Sequence, residues 1–216
     1  VAELLGTGLL VTAVIGSGIA ASRLSPGDVG LQLLENSAAT GAALVALVVA
    51  LGPVSASFNP VVTLVDRARG ALDTRTALAL VAAQVVGGVL GAVVANLMFG
   101  LPAVTLATKD RGGPGQLLGE VVATLGLLLV IAGASRSAGS GRTLTTGIAV
   151  GGYIAGAYWF TSSTSFANPA VTVARMLSDT FAGIAPRCAP AFVGMQLLGG
   201  LLAFGLITYL HPKTDR

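Results

Sequence analysis

Two segments carry the chemistry of this chain. Ser57-Phe58-Asn59-Pro60-Val61-Val62-Thr63 and Ser165-Phe166-Ala167-Asn168-Pro169-Ala170-Val171-Thr172 each set an Asn-Pro pair inside a long uncharged run. Asn is among the strongest helix N-caps and Pro is favoured at the first helical position, so each pair predicts the start of a new short helix. A capping carboxamide commits its oxygen to its own helix and keeps its NH2 group as a donor. Two such donors on one lumen, each at a positive helix end, would receive the oxygen of a neutral hydroxylated solute and repel a cation or hydronium.

Other chemistries find little support in the residue types. The single cysteine, Cys188, excludes an intramolecular disulfide and any multi-thiolate centre, and the lone histidine, His211, stands near the carboxyl end of the sequence, so no metal and no cofactor is expected. The net charge of +3 is scattered through the loops, with no block able to track a nucleic acid. Glu3 and Glu120 fall inside apolar segments, where an acid is either a proton or ion site or a structural acceptor.

The elements that hold these residues follow from composition. With 54% hydrophobic residues, 10% charged residues and a mean hydropathy of +0.86, the chain is expected to be an integral membrane protein. Uncharged runs at 4–22, 37–65, 76–108, 121–135, 143–174 and 188–210 accommodate six crossings. The first run is too long for the apolar core of a signal peptide, lacks a basic leader and is preceded by an acid, Glu3, so it reads as a span. Runs 37–65 and 143–174 exceed one crossing by about half a span, which makes the Asn-Pro helices re-entrant. Such irregular backbone survives at membrane depth only beside a cavity or inside protein.

The chain reads as one transmembrane domain, 1–216, built from repeats 1–100 and 116–212. Glu3-Leu-Leu-Gly-Thr7 parallels Glu120-Val-Val-Ala-Thr124, and Gln84-Val-Val-Gly-Gly parallels Gln196-Leu-Leu-Gly-Gly. Three spans per repeat invert the second half, so the fold class is all-α: six transmembrane helices plus two half-helices meeting from opposite faces. Loop arginines and lysines lean towards an inside amino terminus and cytoplasmic termini.

On these paired motifs the chain resembles the aquaporin and aquaglyceroporin family over essentially its whole length. The resemblance implies a homotetramer in the cytoplasmic membrane, passing small neutral solutes through each subunit. It also implies that Glu3 and Glu120 accept hydrogen bonds from the backbone leading into the half-helices. Pro60, Val61, Pro169 and Ala170 complete the two motifs. The family has an arginine directly after the second Asn-Pro-Ala, and here that residue is Val171. By the family's spacing the other filter positions are Ser165, Gly156 and Thr40, with Ala39 as the alternative to Thr40. Together with Asn59 and Asn168 these are the expected solute-binding residues, forming a wide and half-apolar ring.

Arg175, one turn beyond Val171, is either a displaced filter arginine or an end-of-helix charge with Asp179 as partner. Tyr153, Tyr158, Trp159 and Phe160 are expected at the interface or in packing. A valine at the filter resembles the bacterial channels of arsenic-resistance operons, which implies permeation by arsenous acid and methylated arsenicals. The alternatives are a general glycerol, urea and water facilitator and, in another class, an inverted-repeat secondary transporter.

Overall fold

The computed structural model describes residues 1–136 and 141–210; His211 and the end of the second repeat lie outside the described residues. Among the described residues there are eight helices: α1 (Ala2–Leu24), α2 (Val29–Leu51), α3 (Pro60–Ala68), α4 (Thr74–Met98), α5 (Pro114–Ala134), α6 (Arg142–Phe160), α7 (Pro169–Arg175) and α8 (Ala189–Leu210). Six are long, and α3 and α7 are the two short helices that begin at Asn-Pro. Five of the long helices have the length and apolar composition to cross a membrane. The sixth, α6, is diluted by Thr143, Thr145, Thr146 and several glycines.

Local chemistry sets the helix starts. Asp28 caps α2 by accepting from Leu31 N, and Asp73 caps α4 by accepting from Thr76 N. Asn59 accepts from Val61 N, and Asn168 accepts from both Ala170 N and Val171 N, with proline at the first position of each half-helix.

Packing repeats with the sequence. In the first half α1 lies along α4, in the second α5 lies along α8, and the halves join through α2 against α6. At that seam Gly41 and Gly151 face each other: a Cβ on Gly41 would come within 2.9 Å of Gly151 O, and one on Gly151 within 2.6 Å of Gly41 O. Only glycine permits this approach, which lets two helices pack where lipid supplies no hydrophobic drive. Large apolar side chains such as Leu5, Leu90, Val94, Leu201 and Leu206 point outward, as lipid-facing positions do. The half-helices α3 and α7 touch each other and are gripped between α4 and α8.

Candidate functional site

Each half-helix is entered through backbone that ordinary residues avoid. Phe58 and Ala167, the residues immediately before the two capping asparagines, sit at φ 48° and 50°. Such conformations cost about 1–3 kcal/mol each and persist only where surroundings enforce them. The enforcing groups are the two buried glutamates. Glu3 accepts from Phe58 N at 2.7 Å, Ser57 N at 2.8 Å, Ser55 Oγ at 2.5 Å and Gln84 Nε2 at 2.7 Å. Glu120 accepts from Phe166 N and Ala167 N, both at 2.9 Å, and from Gln196 Nε2 at 2.6 Å. Hydrogen bonds to a charged group contribute about 1.5–3 kcal/mol each, so two or three of them outweigh the strain.

The same network continues to the motif. Gln84 Nε2 donates to Thr63 Oγ1 at 2.9 Å and Gln196 Nε2 to Thr172 Oγ1 at 2.8 Å. Those hydroxyls in turn donate to the carbonyls of Asn59 and Asn168. A Glu-Gln-Thr-Asn chain therefore runs through each half, and the glutamate and glutamine of the parallel sequence segments both belong to it.

The two asparagines meet across the pseudo-twofold. Asn59 Nδ2 donates to Ala167 O and Asn168 Nδ2 to Phe58 O, each at 2.7 Å. Each NH2 group thus gives one hydrogen to the opposite approach segment and retains one for the lumen, half of what the capping argument alone would leave.

A cavity of about 200 Å³ runs past both asparagines. One wall is apolar, built from Leu10, Val14, Leu44, Val48, Leu127 and Ile131. On α6 the lining residues are Thr146, Val150, Ile154 and Tyr158, a four-residue stripe that keeps one helix face on the lumen. Polar groups mark the rest: Asn59, Asn168, Thr40, Ser165, Asp66 and Arg175.

Three of the four filter expectations meet this cavity and one does not. Thr40 is buried on the lumen while Ala39 is exposed, so α2 presents the threonine. Ser165 lines the cavity with a buried hydroxyl that has no partner among the described residues. Val171 lines it too. Gly156 does not: it is exposed, with open space around a would-be Cβ. Counting back from Asn168 lands two residues from the lumenal stripe, and two residues on a helix is a rotation of about 200°, to the opposite face. Tyr158 holds the place instead, its hydroxyl 3.4 Å from Thr40 Oγ1. The ring is therefore narrower than a glycine would leave it.

Arg175 is only 2% exposed and belongs to the lumen wall. Its Nε donates to Ala182 O, its guanidinium lies 3.4 Å from the centre of the Phe166 ring, and Nη1 and Nη2 have no protein partner among the described residues. The expected pairing with Asp179 does not form, because Asp179 turns to accept from Thr108 N and Oγ1.

Arg111, a loop residue that its charge alone did not single out, lies over the same ring at 5.0 Å. It donates to Gly183 O at 2.9 Å and Ser163 O at 3.1 Å, tying the loop before α5 to both segments flanking α7. Burial brings its guanidinium down to about 10. Only long-range contacts reveal this residue, whereas the four-residue stripe ending at Tyr158 was present in the sequence. Val61, the bulky residue in the first motif, points away from the lumen into the space left by Gly200, among Leu128, Ala203 and Ile207.

Paired half-helices capped by asparagines on a shared lumen define a membrane channel. The chain matches the major intrinsic protein family over residues 1–154 and belongs to that family, whose members are channels and not enzymes. It is 49% identical to the aquaglyceroporin AqpS of Rhizobium meliloti (strain 1021) over 211 residues, covering 97% of this chain and 88% of that protein. It is 32% identical to aquaporin Z of Photorhabdus laumondii subsp. laumondii over 149 residues, 62% of this chain and 64% of that one. In fold it is similar to the crystal structure of the aquaglyceroporin from Plasmodium falciparum, with a TM-score of 0.70, 18% identity and coverage of 99% and 94% of the two chains.

Proposed function

We propose that this protein is a passive channel for small neutral hydroxylated solutes, arsenous acid and glycerol-like molecules among them, with water and methylated arsenicals as further permeants. The observation that carries the reading is the composition of the ring at the α7 mouth. Valine follows the second motif directly, and the guanidinium lies one turn further along the same helix, held against Phe166 and Ala182 O with two nitrogens open to the lumen. A permeant there meets donors from Arg175 and Asn168, hydroxyls from Ser165, Tyr158 and Thr40, and apolar surface from Val171 and Ile154. Polyols and arsenous acid have hydroxyls for the first two sets and a compact body for the third.

Thr40, Ser165, Val171, Arg175 and the two asparagines are the solute-contacting residues in this reading, and Glu3 and Glu120 are the scaffold that aims them. The homotetramer, the cytoplasmic membrane and cytoplasmic termini belong to the same proposal, as does the single domain 1–216 with repeats 1–100 and 116–212. The test is flux into proteoliposomes of matched protein content for arsenous acid, glycerol, urea and water. Arsenous acid and glycerol flux above protein-free vesicles, indifferent to proton and sodium gradients, is expected. Gradient-dependent flux would make the chain a transporter, and glycerol or urea flux without arsenous acid would leave a general facilitator.

A further inference from the structure

Of the residues lining the main cavity two carry charge, Asp66 and Arg175, and they are related by the inverted repeat. Asp66 stands seven residues after Asn59, and Arg175 seven residues after Asn168. On both half-helices the intervening lumenal residue is a valine, Val62 or Val171, one turn nearer the asparagine. The inversion places the carboxylate at one mouth and the guanidinium at the other.

We propose that Asp66 is a second selectivity determinant, the element that bars anions and accepts hydrogen bonds from solute hydroxyls at the α3 mouth. The hydroxyls of Thr40, Ser165 and Tyr158 can both donate and accept, while Arg175 and the remaining amide hydrogens of Asn59 and Asn168 favour negative charge. Such a channel is closed to cations and has nothing against a small anion. The α3 mouth aggravates the problem, because Arg69 and Arg136 line an adjoining cavity of about 140 Å³ that shares Val62, Asp66 and Ile131 with the lumen. Those arginines draw anions to the entrance, and Asp66 stands between them and the asparagines.

Its carboxylate is half-buried, with no ion pair and no hydrogen-bond donor among the described residues, and Asp66 lines both the lumen and the adjoining cavity, so its lone pairs are free for a permeant. A neutral solute with both hydroxyl hydrogens and oxygens finds an acceptor at one end and donors at the other, whereas an oxyanion meets repulsion at Asp66.

This inference rests on the proposed channel activity, and the experiment separates the two. Wild type, Asp66→Asn, Asp66→Ser and Asp66→Glu are compared in proteoliposomes for glycerol flux and for nitrate conductance under a valinomycin-set potential. Asp66→Asn and Asp66→Ser should raise the ratio of nitrate conductance to glycerol flux about tenfold, the order expected from removing one fixed charge in a narrow pore. Asp66→Glu should keep the exclusion. Nitrate exclusion unchanged in both neutral variants overturns the proposal. A wild type that passes no glycerol overturns the channel reading instead.

A measurement on the unaltered protein adds an independent arm. Guanidinium ion should compete with glycerol from the α3 side of orientation-sorted vesicles and not from the α7 side. Equal inhibition from both sides, or none from either, counts against Asp66.

Discussion

The two half-helix systems of this protein were built to one plan and then diverged in a restricted set of places. Glutamate, glutamine, threonine and asparagine occupy matching positions and make matching bonds in both halves. The differences lie at the half-helix ends that face the permeant, where Asp66 answers Arg175, and at the motif's third residue, where Val61 answers Ala170. Each third residue has its counterpart on the helix behind it. Val61 fills the space beside Gly200, while Ala170 presents its carbonyl 3.2 Å from where a Cβ of Gly88 would be. What orders the strained approach is copied, because the strain at Phe58 and Ala167 is the same; what touches solute is free to differ.

The largest expected effect tests the copied part. Glu3→Gln and Glu120→Gln each put an NH2 group where backbone N–H donors already point, which leaves buried donors unsatisfied and costs roughly 3 kcal/mol or more. Both variants should lose most of their monodisperse detergent-extracted protein on size-exclusion chromatography, and Glu3→Gln should lose more, since four donors converge there against three. Equal losses would mean that the additional Ser55 bond adds nothing. Normal yield with altered proton-coupled flux would overturn the structural assignment of both acids.

A smaller effect is expected where the halves differ at the lumen. Val171→Arg adds a second guanidinium one turn from Arg175 in a ring already narrowed by Tyr158. Glycerol or arsenous acid flux should fall about tenfold relative to water flux, equivalent to about 1.4 kcal/mol of added barrier for the larger solute. An unchanged ratio, measured in vesicles with matched protein, would place the constriction elsewhere.

Val61→Ala probes the other difference and should act on stability alone. Removing two methyl carbons beside Gly200 leaves a void costing on the order of 1–2 kcal/mol, read as a lower thermal midpoint in detergent. Solute and water flux per folded channel should not move, because the side chain faces Leu128 and Ala203 and not the lumen. A change in flux would bring Val61 back to the pore wall.

How far the sequence reaches follows the same division. The half-helices, their caps and the buried acids are readable because each depends on local chemistry repeated twice: Asn-Pro, Glu-x-x-x-Thr and Gln-x-x-Gly-Gly. The facing of α6 was readable in principle from Thr146, Val150, Ile154 and Tyr158, and counting from a distant motif missed it because any change in the linking segment rotates the helix face. The fate of Arg175 and the role of Arg111 were not readable. Both depend on carbonyls at Ser163, Ala182 and Gly183, which irregular backbone turns toward them.

The smallest effect lies at the α7 mouth, where Lys109, Arg111 and Arg175 gather. Lys109 Nζ donates to Phe181 O at 2.9 Å and lies 4.7 Å from the centre of that ring. Burial, followed by the positive charges of Arg111 and Arg175, lowers its ammonium from 10.5 to about 8. Between these two values the unfolded chain holds a proton that the folded one has released, so this group's contribution to stability rises with pH from about 8 to 10.5 and is flat below. The residue is solvent-accessible, so the amplitude is small. Thermal midpoints of wild type and Lys109→Met, measured in parallel at pH 7, 8, 9 and 10, isolate it, because every other titration is common to both proteins. Wild type should gain on the variant only above pH 8. A constant gap would mean that the Lys109 ammonium is fully hydrated and that the crowding of charge at this mouth ends with the two arginines on Phe166.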